Sequence, residues 1–440
     1  MPTLAECDDR GVSDTAAIPL SPEDKAILDL ECSWIAGHSC KLVRLGGGAP
    51  GVTDLRRLIG DRIAVVPELT RKLGGSDDAP LWVPDERFDV DRHVRASELG
   101  PAPDRDAELD EIARLFEQRL DRDRPLWAID VVPRAAGGAV LVWRIHHALA
   151  DGIASMRFAE ELLWDAGHDP GGAVERPAAG IPPDGAEHGE HPDHKRRRAH
   201  LAAFIEREYA GSLHRSPFDG KIGTRRRIAV AEVPLRPLHD AAGKLAGATL
   251  NDALLAVVAG SLRRWFERHH GSLADVRVRV PVSLHHEGDD AGNRDSFFSV
   301  RLPLAVADPV ERLHVVNAET RVRKEEHDAE RFEHSLAEIG RHSAKLAAFL
   351  ERIESSPREF AVNVSNVPGP RHPVSVLGTP VEGLHSIAEI GLRHGLRISA
   401  VSLADRLFFG FNADPDLVHD VESMAAGVEV EAAELIGLAG

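Results

Sequence analysis

The strongest constraint on folding is a break near the middle of the chain. Residues 168–193, HDPGGAVERPAAGIPPDGAEHGEHPD, are rich in Pro, Gly and Glu and hold almost no large apolar side chain. Such a stretch cannot bury enough surface to offset its ordering entropy. It predicts a linker that splits the 440 residues into two halves, each long enough for its own hydrophobic core. The expected division is 15–167 for the first domain, 168–225 for the linker with a following helix, and 226–440 for the second domain.

Directly after the break, Lys195-Arg196-Arg197-Arg198 opens an amphipathic stretch through Leu201, Phe204, Ile205 and Tyr209. Two readings stay open: adhesion to an anionic lipid surface, or a helix packed across the domains with its charges solvated. Both halves alternate strands with helices. Ala139–Ile145 reads as a buried strand, followed by a loop and a helix over Ile153–Asp165. Asn251–Arg268 reads as a helix with Asn251 as its N-cap. Val276–Val282 alternates like a strand, and Pro281 restricts it to an edge or a strand end. Leu396–Leu403 and Leu407–Asn412 flank Ala404-Asp405-Arg406 as a hairpin. This interleaving predicts an α/β (α+β) architecture.

Composition removes several function classes. The net charge of −18 argues against nucleic acid as a partner. Cys7, Cys32 and Cys40 have neither the number nor the spacing of a disulfide framework or a zinc site. The N-terminus lacks a signal-peptide pattern, and no run of 18 apolar residues occurs. The expectation is a soluble cytoplasmic protein whose lipid contacts, if any, are peripheral.

The strand Ala139–Ile145 runs into His146-His147-Ala148-Leu149-Ala150-Asp151-Gly152. Under period-two alternation, Leu141, Trp143, Ile145 and His147 share one side, while Val140, Val142, Arg144 and His146 share the other. His147 is therefore expected at the strand's end, in line with apolar neighbours. A neutral imidazole there can accept a proton at cytosolic pH. Asp151 can brace the loop, and Gly152 is expected to give backbone freedom for a sharp turn. No Ser or Cys follows in a nucleophile-elbow context, so direct deprotonation of a bound hydroxyl or amine is the simpler chemistry. A metal site is not expected, because strand phase turns the two histidines apart. His285-His286 and His269-His270 are read as surface pairs.

The HHxxxDG element resembles that of the coenzyme-A-dependent acyltransferase superfamily, which includes chloramphenicol acetyltransferase and nonribosomal-peptide condensation domains. More narrowly, the chain resembles the bacterial wax ester synthases/diacylglycerol acyltransferases. Leu20-Ser21-Pro22-Glu23-Asp24 resembles that family's opening, and Asp121–Trp127 (DRDRPLW) its PLW element. Asn251-Asp252, Gly292-Asn293-Arg294 and Ser365-Asn366-Val367-Pro368-Gly369-Pro370 resemble its ND, GNR and SNVPGP segments. They lie in matching order from about residue 20 to 430.

The resemblance implies two chloramphenicol-acetyltransferase-like domains with a substrate tunnel at their interface and His147 at its centre. It implies O-acylation of a long-chain alcohol or diacylglycerol by acyl-CoA, which serves as substrate with no further cofactor. His147 would take the acceptor's proton, His146 would support it, and Asp151 would hold the loop through a basic partner. Asn251 is a candidate for substrate orientation or oxyanion support, with the helix cap as its competing role. Pro125, Leu126 and Trp127 would shape the core or an acyl channel. Asn293, Arg294, Ser365 and Asn366 would line the domain interface, or form structural turns. Arg397 stands where an asparagine is expected, which bears on acceptor preference. The alternatives are acylation of a specialised metabolite's hydroxyl or amine, and a condensation-like module; the intact His147, Asp151 and Gly152 speak against a non-catalytic scaffold.

Overall fold

A computed structural model describes residues 17–101, 103–165, 216–271, 273–283, 295–325 and 361–440. The linker, the basic stretch from Lys195 to Tyr209, His285-His286, Asn293 and Arg294 lie outside the described residues.

Alternating apolar segments and capped helices follow one another along the first half. Strand β1 (Ile18–Pro19) leads into helix α1 (Pro22–Leu30), whose N-cap Ser21 accepts from the Asp24 amide. Then come β2 (His38–Leu45), α2 (Val52–Arg62), the hairpin of β3 (Arg71–Ser76) and β4 (Ala79–Pro84), and β5 (Val94–Ala96). Helix α3 (Arg105–Glu117), β6 (Trp127–Pro133), β7 (Ala139–His146) and α4 (Gly152–Leu162) complete this half.

The second half contains β8 (Arg227–Pro234), α5 (Leu235–Ala246), α6 (Leu250–His269), β9 (Val276–Ser283), β10 (Asp295–Leu302) and α7 (Pro309–Glu325). It closes with β11 (Val362–Val367), β12 (Ser375–Val376), β13 (Thr379–Ile387), β14 (Leu396–Leu403), β15 (Arg406–Ala413) and α8 (Val421–Ala439). Helix α6 is apolar on nearly every face and is buried from Ala253 to Leu262 among α5, α7 and α8, as such a pattern requires. Its N-cap is Thr249, in a reciprocal capping box with Asp252. The sequence assignment of that cap to Asn251 is therefore corrected: Thr249 lies where the chain is still extended, and Asn251 is already inside the first turn.

These elements form two six-stranded sheets, β12-β13-β2-β7-β6-β5 and β10-β9-β11-β14-β15-β8, beside a small sheet β1-β4-β3. Both large sheets are mixed, with β5–β6, β9–β11 and β11–β14 parallel and the other pairs antiparallel. Pro281 sits near the end of β9, past Arg279, the last residue that pairs with β11. It thus avoids the missing-donor problem on that side. The β14–β15 hairpin turns tightly through Ala404-Asp405, with Ala404 at φ 49.

Strands β12 and β13 belong to the second half of the chain but complete the sheet of the first. β13 also packs across β14 and β15, where the His385 and Phe408 rings meet edge to face at 5.1 Å. The two halves are therefore joined by a shared strand as well as by contact. Buried polar groups pin the same seam. Glu389, just beyond β13, accepts from the Ala36 amide at 2.9 Å and from Arg226 at 3.1 Å. Arg226 in turn has its amide held by Glu117 at 2.7 Å.

No single helix among the described residues is long and apolar enough to cross a membrane.

Candidate active site

Strand β7 is held between β2 and β6, so its end is fixed from both sides. The His146 amide donates to the Leu126 carbonyl at 3.0 Å, and the His147 amide donates to the Gly37 carbonyl at 2.9 Å. The chain then turns: the Leu149 and Ala150 amides both donate to the His146 carbonyl, at 2.9 and 3.1 Å. Asp151 caps α4 by accepting from the Ala154 amide at 2.7 Å, which satisfies one of the orphan donors of the first helical turn.

The two faces of β7 follow the alternation read from the sequence. Leu141, Trp143 and Ile145 belong to one apolar cluster with Phe158 and Phe408, whereas Val140 and Val142 belong to another with Ile112 and Phe116. His146 takes the second side. It is 1% exposed, and its Nδ1 accepts from the Ala148 amide at 3.1 Å. That leaves the proton of the neutral ring on Nε2, which points to the carboxylate of Glu31, 3.8 Å away. Glu31 itself is clamped by Arg119 and Arg122. Burial, opposed by Glu31 and assisted by the two arginines, pushes His146 down to about 4.

The requirement for glycine at position 37 follows from this packing. A Cβ there would lie 2.5 Å from His146 Nε2, and the residue has φ +73, so both space and backbone demand glycine.

His147 meets different groups. It is half-buried, and burial first, then the charges of Arg397, His146 and Lys41, depress its pKa to about 3. The imidazole is neutral at any working pH. Protonating it beside two cations becomes favourable only when negative charge develops next to it, which ties proton uptake to formation of an oxyanion. Lys41 lies on β2, 1% exposed, and donates from Nζ to Ser386 Oγ at 2.8 Å. Its pKa falls to about 8 through burial, with Cys40 and Asp151 opposing and Arg397 assisting. Arg397, on β14 of the other sheet, donates to the Glu389 carbonyl at 3.1 Å.

Gly152 joins the two halves at this point. It does not adopt positive φ, so the expected need for unusual backbone freedom is corrected. The physical reason for glycine is close approach, since a Cβ would stand 2.9 Å from Cγ2 of Val367 in β11. On that strand Ser365 shares the face of Val367 and donates to Ser399 Oγ at 3.2 Å. Asn366 points the other way and is exposed, so the structure separates the two neighbours.

The PLW element is interior. Pro125 and Leu126 are buried, and the Leu126 carbonyl holds His146. Trp127 stacks on His93 at 4.4 Å and donates from Nε1 to the Leu69 carbonyl at 2.7 Å. These residues thus pack beside the motif strand and help hold it in register. Among the described contacts none joins Asn251 to the motif. The neighbouring Asp252 is fixed by Thr249 and by Thr320 at 2.6 Å. His269 and His270 sit at the end of α6, with His269 beside Asp420 at 3.3 Å. No cluster among the described residues has the composition of a metal site.

Sequence reasoning passed over Glu31, Gly37, Lys41 and Glu389. Only Lys41 carried a usable signal, since alternation puts it on the interior phase with Val43 and Leu45. The others are brought in from loops or distant segments.

Two linked mixed sheets with an HHxxxDG turn at their seam make up a two-domain chloramphenicol-acetyltransferase-like fold. Residues 20–194 match the model of the wax ester synthase/diacylglycerol acyltransferase catalytic domain, and residues 291–435 match that of its C-terminal domain. A probable diacylglycerol O-acyltransferase of Mycobacterium tuberculosis (strain CDC 1551 / Oshkosh) is 30% identical over 390 residues, covering 82% of each chain. The solved wax ester synthase/diacylglycerol acyltransferase from Marinobacter aquaeolei VT8 superposes with a TM-score of 0.70 at 23% identity. That match covers 96% of this chain and 100% of the other. The starter condensation domain of rhizomide synthetase shares the fold more distantly, at a TM-score of 0.58 and 13% identity over 96% and 94% of the two chains. The chain belongs to the wax ester synthase/diacylglycerol acyltransferase family and is an acyltransferase enzyme.

Proposed function

We propose that this protein moves a fatty acyl group from acyl-CoA to the hydroxyl of diacylglycerol or a long-chain alcohol, with His147 as general base. The carrying observation is the placement of His147: neutral, half-buried at the seam, and under the charges of Lys41 from one sheet and Arg397 from the other. The acceptor oxygen attacks the thioester carbonyl as His147 takes its proton. The resulting oxyanion collapses, the carbon–sulfur bond breaks, and the departing thiolate recovers the proton from the imidazolium. No acyl-enzyme forms. Asp151 and His146 act by holding the turn, and Ser365 stands on the strand face nearest the motif.

Acyl-CoA and acceptor approach from opposite sides of the interface between the halves, in a tunnel with His147 at its centre. Contact with lipid is peripheral, supported by the apolar nature of the acceptors and the basic stretch after the linker. The reading is tested by thiol release from palmitoyl-CoA with hexadecanol, with dioleoylglycerol and with no acceptor, and by mass spectrometry of the products. Ester formed with either lipid acceptor supports it. Acceptor-independent release, which is thioester hydrolysis, overturns it, and transfer only to small polar alcohols or amines overturns it in favour of a specialised-metabolite acyltransferase.

A further inference from the structure

Lys41 is a buried ammonium that the family motif does not include. It is 1% exposed, its Nζ donates to the neutral hydroxyl of Ser386 at 2.8 Å, and among the described residues no carboxylate stands within salt-bridge distance, Asp151 acting on it only from farther off. On the same face lie the apolar Val43 and the register partner Trp143, with the buried hydroxyl of Ser39 on the other side. An unpaired buried charge is costly, and an apolar side chain of the same length would fit this setting better. Such groups concentrate where chemistry requires charge.

We propose that Lys41 is a catalytic cation of the acyl-transfer step, donating from Nζ to the thioester carbonyl oxygen as that oxygen takes up negative charge. The inference rests on the acyl-transfer reading above. An ammonium has three donors, and Ser386 occupies one, so donors remain for substrate. As the acceptor oxygen bonds to the carbonyl carbon, the carbonyl π pair moves onto oxygen and is held by Nζ, while the acceptor proton moves to His147. When the carbonyl re-forms, the electron pair returns, the thiolate leaves with the proton from His147, and Lys41 keeps its own protons throughout. The Lys41 charge adds to burial, Arg397 and His146 in disfavouring a protonated His147, and an oxyanion standing between the two would compensate it.

Charged and titratable groups face Lys41 from several elements. They are Asp151 at the start of α4, Arg397 on β14 and His147 after β7, while the Cys40 thiol acts from the opposite face of its own strand; β13 contributes only the hydroxyl of Ser386. With the ammonium titrating near 8, loss of its charge predicts a fall in kcat on the alkaline side.

The test uses the full chain, palmitoyl-CoA and hexadecanol, comparing wild type with Lys41→Met and Lys41→Arg. Lys41→Met is expected to fold with an unchanged or raised Tm and to lose about 10²–10³-fold in kcat with little change in KM. Its kcat no longer falls as pH rises through 8, whereas the wild-type kcat does; Lys41→Arg restores part of the rate without that fall. Equal kcat in wild type and Lys41→Met, or an alkaline fall that persists in the variant, overturns the proposal. Should Lys41→Met fail to fold, Ser386→Ala provides the second probe. Removing the hydroxyl acceptor from the ammonium moves the alkaline fall to lower pH, and an unmoved profile overturns the proposal. A wild type that transfers acyl groups to no lipid acceptor fails the functional reading itself, a result distinct from equal rates in two active proteins.

Discussion

On one side of β7, His146 is packed against Gly37, receives the Ala148 amide on Nδ1, and faces Glu31 between two arginines. On the other, His147 stands beside Lys41 and Arg397, at the seam where β11 and β14 of the second sheet approach the motif. Adjacent residues of one kind thus occupy unlike environments. The side with a carboxylate, a filled acceptor and no spare volume is built to hold a turn. The side with cations and a neutral ring is built to receive a proton and the negative charge that accompanies its transfer.

The largest expected effect separates the two directly. His147→Ala lowers kcat by about 10²–10⁴-fold with its Tm retained, while His146→Ala loses at most about 10²-fold through a misplaced turn. Thiol release at saturating palmitoyl-CoA, alongside thermal melts, reads both; equal losses break the contrast. Next comes the supporting wall. Gly37→Ala forces a Cβ against His146 in a left-handed conformation, costing roughly 2–4 kcal/mol in urea unfolding.

Acid provides a third probe. His38, His146, His147, His385 and His394 are all depressed below their usual value, chiefly by burial. In the unfolded chain each takes up a proton as pH falls through about 6.5, while the folded protein resists until its own lower value, about 4 for His146 and about 3 for His147. Stability is therefore full above 6.5 and declines across that window, by about 1.4 kcal/mol per pH unit for each group. Melts from pH 7 to 5 measure it, and replacing His147 by Gln should flatten the slope. The smallest effect belongs to Asp151. Asp151→Ala loses the cap and about 1 kcal/mol, whereas Asp151→Asn keeps it and loses only a few tenths. A large activity loss in the Asn variant at unchanged stability would show that the carboxylate's charge acts on Lys41 beyond its capping role.

The legible parts of the molecule were local. The β7 alternation ran over eight residues, enough to assign two faces, and the β14–β15 hairpin announced itself through a polar turn between apolar strands. The α6 start is ambiguous in sequence because Asn251 is itself a good capping residue. Only the reciprocal bond between Thr249 and Asp252 distinguishes the true cap. The reason Gly152 must be glycine is not legible locally, since nothing near it in sequence indicates that Val367 presses against it. Glu31 and Glu389 gave no signal, because an acidic residue in a loop is ordinarily solvated.

The sequence by itself determined the interleaved strands and helices, the family through its ordered motifs, and which of two histidines shares the face of Leu141, Trp143 and Ile145. Those properties depend on side-chain period, capping chemistry and local spacing, which act over a few residues. The tertiary structure alone decided that β13 leaves its own half to finish the other sheet, bringing Ser386 to Lys41 and Glu389 to Ala36. It also decided that Arg397 and Lys41 set the charge around His147. Electrostatic and packing partners hundreds of residues apart are chosen by how the sheets cross, and no local pattern encodes that crossing.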